Sequence, residues 1–478
     1  MSSKIPSQDN TPQPVKMHHP TAASADLYEK RRKIQPRYTS GLFEIWRNIG
    51  AWSVLGFYFL TAWLTWDGRQ ALLFDLPNRH FYIFGWTFWP QDFILLSWLL
   101  IIAAFGLFAV TVLAGRVWCG YTCPQTVWTK IFLMIERLAE GDRNTRMRLD
   151  KAPLSLNKII RRGIKHLSWL LISLATGIAF VGYFTPIHIL MQEIVHQTLG
   201  PAESFWIGFF TVATYLNAGW LREQICMYMC PYGRFQSVMF DRDTLIVSYD
   251  HARGEPRGSR RRDADPSAQH LGDCIDCELC VQVCPTGIDI RDGLQFQCIA
   301  CAACIDACDS VMDQMGYDRG LVRYSTENAL EHGKPIHILR PRLLGYAAVM
   351  TVMVSLFVYT LSTRVPMGID VIRDRNALYR ESSEGMIENS YVLNIMNKSQ
   401  ETEHLEIDLS GMPQGAQLEG RQQLTLAPGE MRSVTETVED DPSELKEREI
   451  PIEFHLINKD HPQQNVDSTS RFFAPSSP

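Results

Sequence analysis

CIDCELCVQVCPTGIDI (274–290) and QCIACAACIDACDSV (297–311) each contain a C-x2-C-x2-C-x3-C run. That spacing wraps three thiolates around one face of a cubane cluster and sends the fourth to a neighbouring cluster. Cys274, Cys277, Cys280 and Cys308 are therefore expected to hold one [4Fe–4S] cluster, and Cys298, Cys301, Cys304 and Cys284 a second. Zinc suits the pattern less well, because it favours paired C-x2-C units that close single tetrahedral sites. Pro285 follows the first run, whereas Asp309 takes the matching place after the second and puts a charge near Cys308.

The chain has 12 cysteines, so four lie outside these runs. GRVWCGYTCPQTVW (115–128) and REQICMYMCPYG (222–233) set Cys119 and Cys123, and Cys226 and Cys230, one helical turn apart. Pro124 and Pro231 stand directly behind them. If each motif begins or continues a helix, residues i and i+4 share a face, and the prolines bend or end the turn. Each motif follows two apolar runs and an arginine, Arg116 or Arg222, which reads as a weak internal repeat. Repeated membrane halves commonly build a site at their interface. Four soft thiolates there suit Cu(I), zinc or an iron–sulfur cluster. Small inert cysteines buried in a bundle are the blander reading, but the duplication with a following proline favours a functional site. Met227 and Met229 read as packing residues.

Five apolar runs approach the roughly 20 residues needed to cross a bilayer: Ile49–Trp66, Phe93–Leu113, Leu167–Ile187, Phe205–Leu221 and Leu343–Leu361. The aromatic stretch FYIFGWTFWP (81–90) is too short to span and is expected at the membrane interface. Lys4, Lys16, Lys30, Arg31, Arg32, Lys33 and Arg37 precede the first run, and Arg143, Arg146, Arg148, Lys151, Lys158, Arg161, Arg162 and Lys165 fill the loop after the second. The positive-inside rule then places the N-terminus in the cytoplasm and the C-terminus outside. Every cysteine falls between Cys119 and Cys308, on the reducing side of the membrane, where thiols stay free to bind metal. The polar opening of the chain shows no cleavable signal peptide. Net charge −6 gives no hint of nucleic-acid binding. No C-x-x-C-H site and no facing histidine pair point to haem.

Residues 251–270 read as a polar linker, in which Arg257, Arg260, Arg261 and Arg262 form a basic loop or meet anionic lipid. Beyond Arg364, alternating runs at 391–397, 404–410, 423–429, 433–439 and 452–458 predict a small β-sandwich. The organisation is a polar cytoplasmic tail (1–44), a four-span membrane domain with both C-x3-C-P motifs (45–240), a linker with a two-cluster domain (241–340), a fifth span (341–363) and an outer β domain (364–478). The fold class is thus a multi-domain membrane protein: an α-helical bundle, a ferredoxin-like domain and an immunoglobulin-like sandwich.

Together the two C-x3-C-P motifs, the ferredoxin runs and the β tail resemble the cytochrome c oxidase accessory proteins of the CcoG/FixG/RdxA family, over nearly the whole chain. The resemblance implies a protein of the bacterial inner membrane, with a periplasmic C-terminal domain, that reduces Cu(II) to Cu(I) during assembly of cbb-type oxidase. It makes Cys119, Cys123, Cys226 and Cys230 the candidate catalytic and copper-side residues and the eight other cysteines the electron supply. Copper is then substrate or ligand, and copper-handling assembly factors, oxidase subunits and a cytoplasmic electron donor are the implied partners; a homo-oligomer is left open. Two rivals are a quinol-linked electron-transfer protein and a non-catalytic assembly scaffold.

Overall fold

The computed structural model describes residues 33–262, 270–413, 415–445 and 447–475. Most of the polar tail expected over 1–44, including Lys4, Lys16, Lys30, Arg31 and Arg32, lies outside the described residues, as do 263–269 of the linker. The chain divides into two units, one running to Leu64 and resuming over Ser97–Val354, the other made of Thr65–Leu96 and the residues from Ser355 onward.

The helices in chain order are α1 (Leu42–Leu60), α2 (Phe93–Ala114), α3 (Val117–Tyr121), α4 (Pro124–Glu140), α5 (Arg143–Lys151), α6 (Leu156–Val181), α7 (Ile187–His196), α8 (Pro201–Thr214), α9 (Pro231–Met239), α10 (His251–Gly254), α11 (Leu279–Val283), α12 (Ala303–Met315), α13 (Glu327–His332) and α14 (Pro341–Ser362). Three helical stretches among the described residues are long and apolar enough to cross a membrane: Pro90–Ala114, Leu156–Val181 and Pro341–Ser362. The other two expected spans take a different form. The 19-residue α1 carries Glu44 and Arg47 in its first turns. The run expected over Phe205–Leu221 leaves α-helical geometry at Thr214 and continues over Tyr215–Leu221 as a π-helix. Such a π segment widens the helix by one residue per turn and occurs often at functional sites.

Small residues let the helices of the first unit approach closely. A Cβ added at Gly177 of α6 would lie 2.7 Å from the Ile207 carbonyl oxygen and 2.9 Å from Thr211 Oγ1 on α8. That is the close backbone packing available only where the side chain is minimal. Below this contact, a network of buried charges ties α4, α5 and α6 to the residues preceding the second C-x3-C-P motif. Glu136 is 1% exposed and accepts from Arg146 (3.1 Å) and Arg222 (3.0 Å), with Lys165 Nζ at 3.9 Å. Lys165 also pairs with Glu140 at 2.7 Å. Burial opposes ionisation of Glu136, but Arg222, Arg146 and Lys165 outweigh it and hold the carboxyl below the ordinary glutamate range.

In the second unit two antiparallel sheets face each other. One has the strand order 417–419, 431–440, 387–397, 367–373, with 380–381 on the side of 387–397; the other runs 423–426, 403–410, 449–458, 466–473. Alternate residues point inward, so Tyr391, Leu393, Ile395, Leu405, Ile407, Phe454, Leu456 and Phe472 form the core. All five expected strand runs appear. Four more join them: Met367–Arg373, Val466–Phe473 and the short Arg380–Glu381 and Gln417–Glu419. The stretch 81–90, too short to span, supplies strands to a three-stranded sheet of 72–75, 80–83 and 86–88. Its alternating aromatic residues suit cross-strand pairing, as in Phe81 opposite Phe88. Arg364 anchors that sheet within the unit, stacking 4.8 Å from the Phe88 ring and pairing with Asp92 at 2.6 Å.

Replacing Glu136 by Gln leaves the buried Arg146 and Arg222 without their shared carboxylate. The expected cost is about 3–5 kcal/mol, read as a lowered thermal transition of the purified protein in detergent. An unchanged transition would show that the network carries no stability.

Candidate redox site

The two cysteine runs fold alike. Asp276 (φ 51°) and Glu278 (φ 55°) in the first, and Ala300 (φ 51°) and Ala302 (φ 57°) in the second, adopt left-handed backbone at matching offsets. For residues other than glycine this conformation costs roughly 1–2 kcal/mol each. It turns the chain tightly enough to bring three sulfurs to one side and aims amide groups at them; Ala300 N–H donates to Cys298 Sγ at 3.4 Å. Asp276 and Asp289 both pair with Arg291, at 2.5 and 2.7 Å, which braces the first loop.

The helices that follow exchange their last cysteines. Cys284 ends α11 and lines a cavity with Cys298, Cys301 and Cys304. Cys308 in α12 lines a second cavity with Cys274, Cys277 and Cys280, and Cys280 borders both. These are the two quartets expected from the spacing. Among the described residues no three His, Cys, Asp or Glu side chains converge to hold a single ion. Burial, reinforced by the facing thiols, pushes Cys308 up to about 12, and burial does the same to Cys298. Thiols crowded in so dry a space favour deprotonation only when a metal supplies compensating positive charge. The donor set and its amide-lined loops therefore fit a [4Fe–4S] cluster in each cavity. Asp309, which replaces the expected proline, accepts from the Gly320 amide at 2.9 Å and closes a turn.

The membrane-edge motifs differ from the expected continuous helix. Cys119 lies in α3, the chain then breaks, and Cys123 is the residue that precedes α4. In the second copy Cys226 lies in a π-helical turn (Ile225–Met229) and Cys230 precedes α9. Pro124 and Pro231 thus begin helices where they were expected to bend or end them, because a proline at the first helical position lacks only an amide that would be unpaired there anyway. The i, i+4 face is lost, yet all four thiols come within electrostatic reach of one another. Burial, then the other three thiols, push Cys226 up to about 12.

This second cysteine group abuts the first. Cys119 shares an apolar cluster with Ile299, Cys301, Ala303 and Val283, against which Tyr232 and Cys304 pack. Gly120 allows the contact: an added Cβ would lie 2.7 Å from the Ile299 carbonyl oxygen and 2.8 Å from Cys301 Cα. Arg116, 6% exposed, spans the junction. It donates to the carbonyls of Phe296, Cys298 (3.4 Å) and Gly233 (2.9 Å) and to Gln236 Oε1. Gln236 in turn points its amide at Cys119 Sγ, 3.5 Å away. On the opposite flank, Asp306 of α12 accepts from the Phe43 and Glu44 amides at 3.1 and 2.8 Å, capping α1. Gly120, Gln236 and Asp306 escaped sequence reasoning, because each acts on a partner more than 100 positions away. The linker residue Arg260, expected in a basic loop or on lipid, donates to Tyr317 Oη at 3.0 Å.

Residues 221–327 match a family model described as a 4Fe-4S dicluster domain, and 96–137 match one described as a 4Fe-4S binding domain. Residues 357–475 match the IG-like fold at the C-terminus of FixG. With its long apolar helices, the chain is an iron–sulfur redox protein of the membrane. The nitrogen fixation protein FixG of Rhizobium meliloti is 41% identical over 453 residues, covering 87% of this chain and 85% of that one. Proteins RdxB and RdxA of Cereibacter sphaeroides are each 42% identical, over 410 and 404 residues, covering 82% and 81% of this chain and 85% and 84% of theirs. The chain belongs to the FixG/RdxA family.

Gly120→Ala should force the Ile299–Cys301 loop to shift, since the atoms it meets are backbone. The variant is expected to change the electron paramagnetic resonance of the reduced protein, whereas Gly163→Ala, with nothing within 4 Å of its added Cβ, should leave it unaltered. Identical spectra from Gly120→Ala and the native protein would show that the contact does not constrain the loop.

Proposed function

We propose that the protein reduces Cu(II) to Cu(I) at the cytoplasmic edge of the bacterial inner membrane, for copper delivery to a cbb-type oxidase. The observation that carries this reading is the direct packing of Cys119 and Gly120 against the Ile299–Cys301 loop. In it, Cys274, Cys277, Cys280 and Cys308 hold one [4Fe–4S] cluster and Cys284, Cys298, Cys301 and Cys304 the other. When bound, these clusters supply reversible one-electron storage. Of the two quartets, Cys284, Cys298, Cys301 and Cys304 stand on the membrane-edge side. Cys119, Cys123, Cys226 and Cys230 receive copper, and soft sulfur favours the cuprous product. Arg116 keeps the two cysteine groups in register through the carbonyls of the cluster loop and the second motif. Electron transfer from cluster to copper requires no proton transfer.

The orientation in this proposal keeps every cysteine in the cytoplasm and the immunoglobulin-like domain in the periplasm. Five crossings, with α1 and the α8–π segment joining the three long apolar stretches, satisfy the basic-residue bias. The partners are a cytoplasmic electron donor, copper-handling assembly factors and oxidase subunits.

One observation favours a second reading of the membrane-edge thiols. The 4Fe-4S binding model covers 96–137 and so includes Cys119 and Cys123. With Cys226 and Cys230 in electrostatic reach, the quartet offers the four thiolates a third cluster takes.

Anaerobically reduced protein, freed of excess reductant, is mixed with Cu(II) and followed by a cuprous chelator and by cluster absorbance. Changing Cys119, Cys123, Cys226 and Cys230 to serine should slow Cu(I) formation by at least about tenfold; equal rates would remove these thiols from the copper path. Iron content separates the two readings: about eight atoms per chain in both proteins if the quartet takes copper, about twelve falling to about eight if it holds a cluster.

A further inference from the structure

Beside the membrane-edge thiols lies a cleft of about 470 Å³ whose walls include both Cys226 and Cys301. It is far larger than one hydrated copper ion requires and falls in the range of small-molecule sites. Among the described residues its lining carries seven arginine and lysine side chains against three carboxylates, Glu44, Asp142 and Glu223. Internal pairing does not cancel the excess. Arg47 and Lys130 share the single carboxylate of Glu44, at 2.5 and 3.1 Å. Arg146 and Arg222 share Glu136, which stands behind the lining, and Arg137 takes Asp142 at 3.3 Å. Arg37 is exposed and Arg143, half-buried, spends its Nε on the Gln35 carbonyl at 3.0 Å. The basic and acidic side chains of this lining thus leave an excess of positive charge in front of the thiol wall, which favours an anionic visitor over a bare dication.

We infer that copper enters this cleft as an anionic chelate, a Cu(II) complex whose carboxylate or similar ligands give it net negative charge. The inference rests on the copper-reductase reading and names the substrate form that site accepts. Guanidinium groups recognise carboxylates by paired charge-assisted hydrogen bonds, so the arginines grip the chelate's ligands while the metal faces the thiol wall. Each Cu(II) gains one electron from the reduced protein, which is oxidised by one electron per copper. The chelating ligand is itself unchanged: it releases Cu(I) to the sulfur donors and leaves the cleft as the free ligand.

Binding and turnover test this separately, both on the full-length protein. Substitution-inert cobalt(III)–EDTA (net charge −1) should bind the oxidised protein, while hexaamminecobalt(III) should not, and Arg37→Gln/Arg143→Gln should weaken that binding by about fivefold or more. With reduced protein, Cu(II)–nitrilotriacetate should be reduced several-fold faster than Cu(II)–bis(ethylenediamine) at low salt. The advantage should vanish at about 0.5 M salt, where the screening length falls to a few ångströms. Copper reduction at rates indifferent to chelate charge, salt and the arginine changes would overturn the inference and leave the copper reading standing. Failure to reduce copper from any chelate would overturn the copper reading, and the chelate assignment with it.

Discussion

The buried guanidinium of Arg116 is the interaction on which the redox half of the molecule depends. Its donors reach the carbonyls of Phe296 and Cys298 on one side and of Gly233 on the other. A charge at 6% exposure is tolerable only when its donors are met, and here backbone oxygens from two distant segments meet them. The guanidinium thus ties the Phe296 and Cys298 backbone to the second C-x3-C-P motif. Gln236, fixed by the same guanidinium, directs its amide at Cys119.

Glu136 does for the helices what Arg116 does for the loops. It collects Arg146 and Arg222, with Lys165 close by, and so links α4 to α5, to α6 and to the approach of the second motif. Arg222 itself has φ 47°, an uncommon backbone state for a side chain of its size. It sits between two π-helical segments, Tyr215–Leu221 and Ile225–Met229. The guanidinium bonds to Glu136 and to the Gly219 carbonyl hold that irregular stretch in place. The irregularity re-aims Cys226 away from a plain helical face, toward the cleft.

Family membership and geometry meet at the junction of the two cysteine groups. Relatives of similar length establish what kind of protein this is. The packing of Cys119 in one cluster with Cys301 adds that the cavity of Cys284, Cys298, Cys301 and Cys304 lies beside the first C-x3-C-P motif. That contact distinguishes the two otherwise matching cavities.

The sequence alone determined what depends on short-range spacing. The C-x2-C-x2-C-x3-C runs defined both quartets, because three neighbouring thiols and one exchanged thiol are a local property of about 30 residues. Period-two alternation revealed the sandwich strands, and apolar length marked five runs, three of which form helices long enough to cross a membrane. Tertiary structure decided what depends on residues far apart. The prolines begin helices because the chain breaks after α3 and after the π turn, which C-x3-C-P spacing does not encode. Asp306 caps α1 from more than 260 positions away, Gly120 fits against Cys301, and Gln236 reaches Cys119. The positive cleft likewise gathers Arg37, Arg143 and Arg222 from separate segments. Charge density at a point in space follows from how those segments pack, and no window of the chain contains it.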